Sequence, residues 1–308
     1  MKSPRLLVSV PDSRVRSLFN EVPQGVTVIE WDMTGPALID SIDIVVPPYM
    51  DATEKLAQLA NVKTRLVQSL SLGYDGVEKV LPPGHVFANA VSVHETSTAE
   101  LTVALVLASQ RGIPKFVRDA AEGRWAPEFL PSLADRTVLV IGYGGVGQAI
   151  EARLVPFEVR VVRVAHTARS DERGVIHGIE SVPELLPLAD IVVIAVPLTD
   201  DTFHLVDDAF LTLMRDQSLL VNIARGMVAD TEALLSHASA GRLRLALDVT
   251  DPEPLPEGHP LFGLTNVLIT PHVGGATSAM LPRAARLLTE QILRMQRGDV
   301  PLNVVLRS

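Results

Sequence analysis

The sequence predicts an α/β protein whose strands form parallel sheets. Three observations carry that expectation. Short apolar runs of strand length recur along the chain and alternate with segments of helical spacing, the pattern of repeated β-α-β units. A glycine-rich turn, Gly142-Tyr143-Gly144-Gly145-Val146-Gly147, follows one apolar run and opens a helical segment, which is the context that makes such a turn informative. The composition is globular: 47% of the residues are hydrophobic and 20% charged, so the chain can bury a core. With 308 residues and about 150 residues per domain, two domains are expected.

The first third reads as a small α/β unit. Residues 6–10, 42–46 and 65–70 have strand patterns, and 52–60 have helical spacing. Residues 95–110 form a helix that is apolar on most sides, as in a helix buried between other elements. Gly112-Ile113-Pro114 ends it. This helix is taken as the connection between two domains. The middle repeats strand and helix with better definition. Strands are expected at 137–141, 159–164, 191–196, 219–223, 243–249 and 266–269, with a helix over 147–154. A series of this kind is a doubly wound sheet. Residues 276–297 form one long amphipathic helix, stopped at Gly298 and followed by a short apolar piece over 302–306.

Charge and residue usage exclude several functions. Lys and Arg total 27 against 36 for Asp and Glu, a net charge of −9. With no basic run, a nucleic-acid partner is not expected. The chain has no cysteine, which removes disulfide scaffolds, zinc-thiolate sites and cysteine nucleophiles together. No metal site is expected. The longest apolar runs, such as 191–198, are far shorter than a membrane span. Lys2 and Arg5 precede only the apolar stretch 6–10 before Pro11, too short for a signal-peptide core. The expectation is a cytoplasmic protein without a membrane partner.

Gly142, Gly144, Gly145, Val146 and Gly147 are the candidate cofactor loop. Glycines there permit a tight turn and close approach of backbone N–H groups to a pyrophosphate at the positive end of a helix. For NAD, an acidic residue is expected about 20 residues past the loop, against the ribose hydroxyls. Ala165 stands 18 positions past Gly147, and no acid appears before Asp171. His166, Thr167 and Arg169 occupy the stretch. An acid would repel a 2′-phosphate and Arg169 would attract it. NADP(H) is therefore expected in preference to NAD(H), with Arg169 as a solvated loop charge the plain alternative.

Four further segments join the glycine loop: Ala195-Val196-Pro197-Leu198-Thr199 with Thr202; Val221 to Gly226; Leu247 to Pro256; and Ile269 to Gly275. Their order and spacing resemble the D-isomer-specific 2-hydroxyacid dehydrogenases, over residues from about 70 to 277. The resemblance implies two Rossmann-like domains with an active site in the cleft. The smaller, substrate domain is then discontinuous, residues 1–95 with 276–308, and 96–275 bind the dinucleotide. The resemblance also implies that Arg225, Glu253 and His272 are catalytic and that Asp248 meets the nicotinamide amide. Pro197, Thr202, Ile223, His272 and Gly274 fall with the cofactor contacts. Leu70-Ser71-Leu72-Gly73-Tyr74-Asp75 matches the segment whose N–H groups hold the substrate carboxylate, at Leu72 and Gly73. A homodimer through the cofactor domain is also implied.

The chemistry needs these residue types. Reducing a 2-oxoacid adds a hydride to the carbonyl carbon and a proton to its oxygen. Imidazole is suited to giving that proton near neutral pH. His272 follows a strand and Pro271, at the sheet edge where ligands bind. Glu253 lies on the loop after the preceding strand, within reach of it. Arg225 also follows a strand; its planar fork suits a substrate carboxylate. A lone histidine is more often structural, the reading given to His85, His94, His177, His204, His237 and His259. Tyr49, Met50, Leu72, Tyr74 and Met280 are candidates for the pocket wall, with core packing as the alternative. None is a cation, which favours small or apolar oxoacids. Glyoxylate and hydroxypyruvate fit best. The competing expectations are an NAD-dependent enzyme akin to phosphoglycerate dehydrogenase, and a dinucleotide sensor without catalysis. Glu253 argues against formate oxidation, and Leu72 against phosphite, whose oxidisers carry lysine there.

Overall fold

A computed structural model describes residues 5–19, 23–49 and 52–308. It divides into two compact units, Met1–His94 with Thr277–Ser308, and Glu95–Ala276. The strands are, in chain order, β1 (Leu6–Val10), β2 (Val26–Glu30), β3 (Ile44–Val45), β4 (Leu66–Gln68), β5 (Val86–Ala88), β6 (Thr137–Ile141), β7 (Arg160–Val164), β8 (Arg169–Asp171), β9 (Gly174–Ile176), β10 (Ile191–Ile194), β11 (Leu219–Asn222), β12 (Arg244–Leu247), β13 (Val267–Ile269) and β14 (Val304–Arg307).

In the first unit the sheet order is β14-β5-β4-β3-β1-β2. Successive strand residues serve opposite faces, as the pleat requires. Ile44, Leu66 and Ala88 join Ala284, Leu288 and Ile292 of the helix Met280–Arg297 in one core. Their neighbours Val45, Val67 and Phe87 pack on the other face with Met33, Leu56 and Leu59. The last strand departs from the parallel expectation: β14 pairs antiparallel with β5. It follows its helix after a short turn at Gly298, which takes φ 80, and returns along the sheet edge. Residues 52–60 also differ, being α-helical over Ala52–Lys55 and 3-10 over Leu56–Asn61.

The second unit carries six parallel strands in the order β13-β12-β11-β10-β6-β7. Leu139, Ile141, Val192, Ile194 and Leu220 fill one face. Val138, Val140, Ile191, Val193, Leu219 and Val221 fill the other, against residues of the helices Glu95–Gln110 and Gly145–Leu154. Both faces are covered, which explains the continuous apolar runs. Gly112 ends the first of these helices, and a further helix, Ile113–Ala121, starts at once with Pro114 in its first turn, a position proline tolerates. The order reverses at β6, which has β7 on one side and β10 on the other. Ligands bind at such switch points, beyond the carboxyl ends of the strands. β8 and β9 form a separate antiparallel hairpin after β7.

Candidate active site

The glycine loop lies at the switch point. Gly142 has φ 105, and a Cβ there would stand 2.4 Å from the Ala195 carbonyl after β10. A Cβ on Gly147 would stand 2.4 Å from the Gly142 oxygen. Both glycines are thus required by close backbone approach. Gly144 is different: a Cβ would meet nothing within 4 Å. It caps the helix Gly145–Leu154 without a side-chain partner for the first N–H groups. That leaves an open cradle of backbone donors at a helix N-terminus, which suits a pyrophosphate. Val146 packs partly into the core behind it.

Gly142 and Tyr143 both donate their N–H groups to the Val164 carbonyl, at 2.9 Å each. The end of β7 is thereby held beside the loop. His166 and Thr167 follow it, both exposed. Arg169 begins β8, and its Nη2 donates to the Tyr143 carbonyl at 2.9 Å. Its guanidinium therefore lies against the glycine loop. The first acid, Asp171, accepts from the Arg173 N–H at 2.9 Å in the hairpin turn.

The next strand ends supply the remaining groups. After β10, the Thr202 hydroxyl donates to the Pro197 carbonyl at 2.7 Å and accepts from the Thr199 N–H at 2.8 Å, closing that loop. After β11, Ile223 is buried, and the Asn222 side chain bonds Ala224 N–H and the Arg225 carbonyl at 3.0 Å each. Arg225 Nη1 donates to the Ala224 carbonyl at 2.7 Å. A Cβ on Gly226 would stand 1.9 Å from the Thr250 oxygen. Only glycine lets the Arg225 turn lie this close to the loop that carries Glu253. Thr231 Oγ1 donates to the Asp251 carbonyl at 2.5 Å and ties the same loop.

His272 follows β13 in a left-handed conformation, φ 51, uncommon for a residue with a side chain. Asp248 holds the turn. Its carboxylate, buried at 3% exposure, accepts from Thr270 Oγ1 at 2.6 Å, Val273 N–H at 3.0 Å and Gly274 N–H at 2.9 Å. The His272 N–H donates to the Asp248 carbonyl at 2.8 Å. So aimed, His272 Nδ1 meets Glu253 Oε1 at 2.5 Å, with both side chains about 40% exposed (42% and 41%). Glu253 thereby occupies Nδ1 and leaves Nε2 for another partner. This bracing role of Asp248 was not visible in the sequence.

The first unit holds the other candidates. The loop after β4 is pinned through its carbonyls. His94 Nε2 bonds the Leu70 oxygen at 2.6 Å, Ala90 N–H the Ser71 oxygen at 2.9 Å, and Asn89 Nδ2 the Leu72 oxygen at 2.9 Å. The Leu72 and Gly73 N–H groups donate to no other described residue. Tyr49 stacks on His94 at 5.5 Å, and Tyr74 is exposed. Met280 is buried in the apolar core, and Met50 lies outside the described residues. Of the remaining histidines, His237 bonds Asp208 at 2.8 Å and Arg242 at 2.8 Å, and His259 accepts from Leu261 N–H. Among the described residues no cluster suits a metal ion, and no helix is long and apolar enough to cross a membrane.

A parallel sheet with an open glycine cradle at its switch point, and an imidazole held by a carboxylate from the loop after the adjacent strand, belongs to the nicotinamide-dependent oxidoreductases. The particular family follows from comparison. The model of the D-isomer specific 2-hydroxyacid dehydrogenase NAD binding domain matches residues 103–274, more than half the chain. This protein belongs to that family. It is 33% identical over 283 residues to a glyoxylate reductase of Pyrococcus horikoshii, covering 88% of this chain and 84% of that one. It is 32% identical over 256 residues to the human glyoxylate reductase/hydroxypyruvate reductase, covering 80% and 78%. A crystal structure of a D-isomer specific 2-hydroxyacid dehydrogenase from Xanthobacter autotrophicus Py2, in complex with NADPH and MES, superimposes with a TM-score of 0.85. The identity is 27%, covering 99% and 98%.

Proposed function

We propose that this protein reduces small 2-oxoacids, glyoxylate and hydroxypyruvate foremost, with NADPH as the cofactor. The observation that carries the reading is the His272–Glu253 pair, 2.5 Å apart, on loops of the sheet that carries the glycine cradle. When bound, the cofactor supplies a hydride to the carbonyl carbon. His272 gives the proton on Nε2 to the carbonyl oxygen, and Glu253 accepts from Nδ1–H and keeps the ring in that orientation. Arg225 holds the substrate carboxylate and polarises the carbonyl. The Leu72 and Gly73 N–H groups suit a carboxylate as well, the role the family resemblance gives them. Asp248 Oδ2 takes one donor within the protein; a carboxylate oxygen has room for another, and the nicotinamide amide fits that role.

The cofactor preference rests on the stretch after β7. Between Ala165 and Ser170 there is no acid, and Arg169 lies against the glycine loop. The NADPH in the Xanthobacter structure supports this preference, and the names of the archaeal and human relatives support the substrates. A cytoplasmic homodimer is part of it. Trp125 and Phe129, 95% and 108% exposed, are apolar surface that a second copy would cover; light scattering tests the mass.

The experiment is initial rates with NADPH and NADH, each against glyoxylate, hydroxypyruvate, pyruvate, phenylpyruvate and 3-phosphohydroxypyruvate. Faster NADPH oxidation with the two smallest hydroxylated or aldehydic acids is expected. Faster NADH oxidation refutes the cofactor assignment and leaves the acid/base pair standing. Turnover confined to the phosphorylated substrate refutes the substrate assignment.

A further inference from the structure

We propose that the buried pair Tyr143 and Glu151, with Arg163 and Arg173 on it, sets the cofactor preference by fixing the β8–β9 hairpin, and Arg169 with it, against the glycine loop. The inference rests on the NADPH reading above and names the residues that position its phosphate contact.

Tyr143 is the second residue of the glycine motif, where the turn itself needs no particular side chain. Yet it is 1% exposed. Its hydroxyl donates to the Glu151 carboxylate, on the helix that the loop opens. Glu151 is 2% exposed. It also receives Arg163 Nε of β7 at 2.7 Å and Arg173 Nη1 of the hairpin turn at 3.3 Å. Arg163 Nη1 donates to the Arg173 carbonyl at 2.6 Å. The two guanidinium carbons lie 5.6 and 5.7 Å from the centre of the Tyr143 ring, within cation–π range. Arg169 completes the set through the Tyr143 carbonyl. One tyrosine thus links loop, helix, strand and hairpin. Burial and the bond to Glu151 push the Tyr143 hydroxyl up to about 12, so it remains a donor throughout the working range.

Stability alone is a weak reason for such a cluster, because apolar residues of similar volume commonly serve a core as well as a buried ion pair does. A cluster of this kind does fix relative position. The hairpin follows the second strand of the sheet, where the adenosine ribose lies in a dinucleotide fold. A 2′-phosphate there is read by the planar fork of an arginine, whose bonds depend on placement. NADH carries no such phosphate and does not sense where the hairpin sits. Tyr143 and Glu151 are therefore positioning residues for discrimination, not for the hydride step.

The test is equilibrium binding, independent of turnover. Dissociation constants are measured for NADPH, NADH, 2′,5′-ADP and ADP with the unaltered protein, Glu151→Gln and Tyr143→Phe. The second variant removes one hydroxyl and no charge, and it carries the test where Glu151→Gln does not fold. The unaltered protein is expected to prefer NADPH and 2′,5′-ADP. Each variant is expected to lose that preference at least tenfold, with NADH and ADP binding within twofold. Equal weakening of all four ligands, or an unchanged preference, overturns this inference alone. An unaltered protein that binds NADH and ADP as well as the phosphorylated pair overturns the cofactor reading and this inference with it.

Discussion

Replacing Asp248 by asparagine tests how the His272 turn is held. The carboxylate takes two donors on Oδ1, from Thr270 and Val273, and one on Oδ2, from Gly274. Asparagine has the same shape but one acceptor oxygen. With that oxygen on the Oδ1 side, its NH2 group faces the Gly274 N–H, donor against donor. One hydrogen bond to a charged group is lost, about 1.5–3 kcal/mol, and a buried N–H is left unpaired, about 1–3 kcal/mol. The two terms overlap, so the expected destabilisation is about 3 kcal/mol. For a unit spanning Glu95–Ala276 this lowers Tm by roughly 6–12 °C. His272 holds a left-handed backbone, φ 51, and loosening the turn misplaces its ring. A fall in kcat of at least about tenfold follows from lost general-acid alignment. Thermal melts of the two proteins in one buffer, with kcat at saturating substrate, measure both effects. A melting point within about 2 °C of the unaltered protein together with unchanged kcat would refute the bracing argument, since 1 kcal/mol corresponds to about that shift.

Four further outcomes follow from the same geometry. His272→Gln is expected to lower kcat by about 10²–10⁴ with cofactor affinity retained, whereas Arg225→Ala raises KM and lowers kcat together; near-normal turnover in either variant contradicts the assigned role. Gly226→Ala puts a methyl group 1.9 Å from the Thr250 oxygen, so unfolding titrations should show a loss of about 1–3 kcal/mol with reduced kcat, and a wild-type-like protein would mean the two loops yield easily. Tyr143 has a folded pKa of about 12 against an ordinary 10.0, so the native state keeps its proton longer than the unfolded chain. Its contribution is full below pH 10 and lost as pH rises to 12, about 3 kcal/mol in total; Tyr143→Phe should therefore lose less stability than the unaltered protein between those two pH values, as measured by urea unfolding.

The parts of the fold that were legible in the sequence are those with continuous apolar runs. β1, β6, β10 and β11 lie within the expected spans, because both sheet faces are covered and the residues on each must be apolar. β2 was not anticipated: it is a sheet-edge strand, half-buried to exposed along its length. The β8–β9 hairpin was also missed, since five of its six residues are exposed and carry no periodic signal. Glu151, on a helix, and Arg163, on a strand, carry no signal in the sequence that marks them as a pair, and only the fold reveals that each is the other's partner. The same holds for Asp248. Its carboxylate meets groups 22 to 26 positions away, and no spacing rule connects an aspartate after one strand with the backbone after the next.

The three proposed catalytic residues, by contrast, are named by the resemblance, and the sheet converts their order in the chain into adjacency. β11 pairs with β12 so that Asn222 faces Leu247, and β12 pairs with β13 so that Leu247 faces Ile269. All three strands run the same way and end at one edge. Arg225, Glu253 and His272 each follow those ends by a few residues, so positions far apart in sequence reach one edge. What parallel register does not set is the final approach of the side chains. That is set by Gly226, which admits the loop carrying Glu253, and by Asp248, which bends the chain at His272. A motif read from the chain can thus propose the reacting groups, while the residues that bring His272 and Glu253 to 2.5 Å carry none of the motif's proposed acid/base roles.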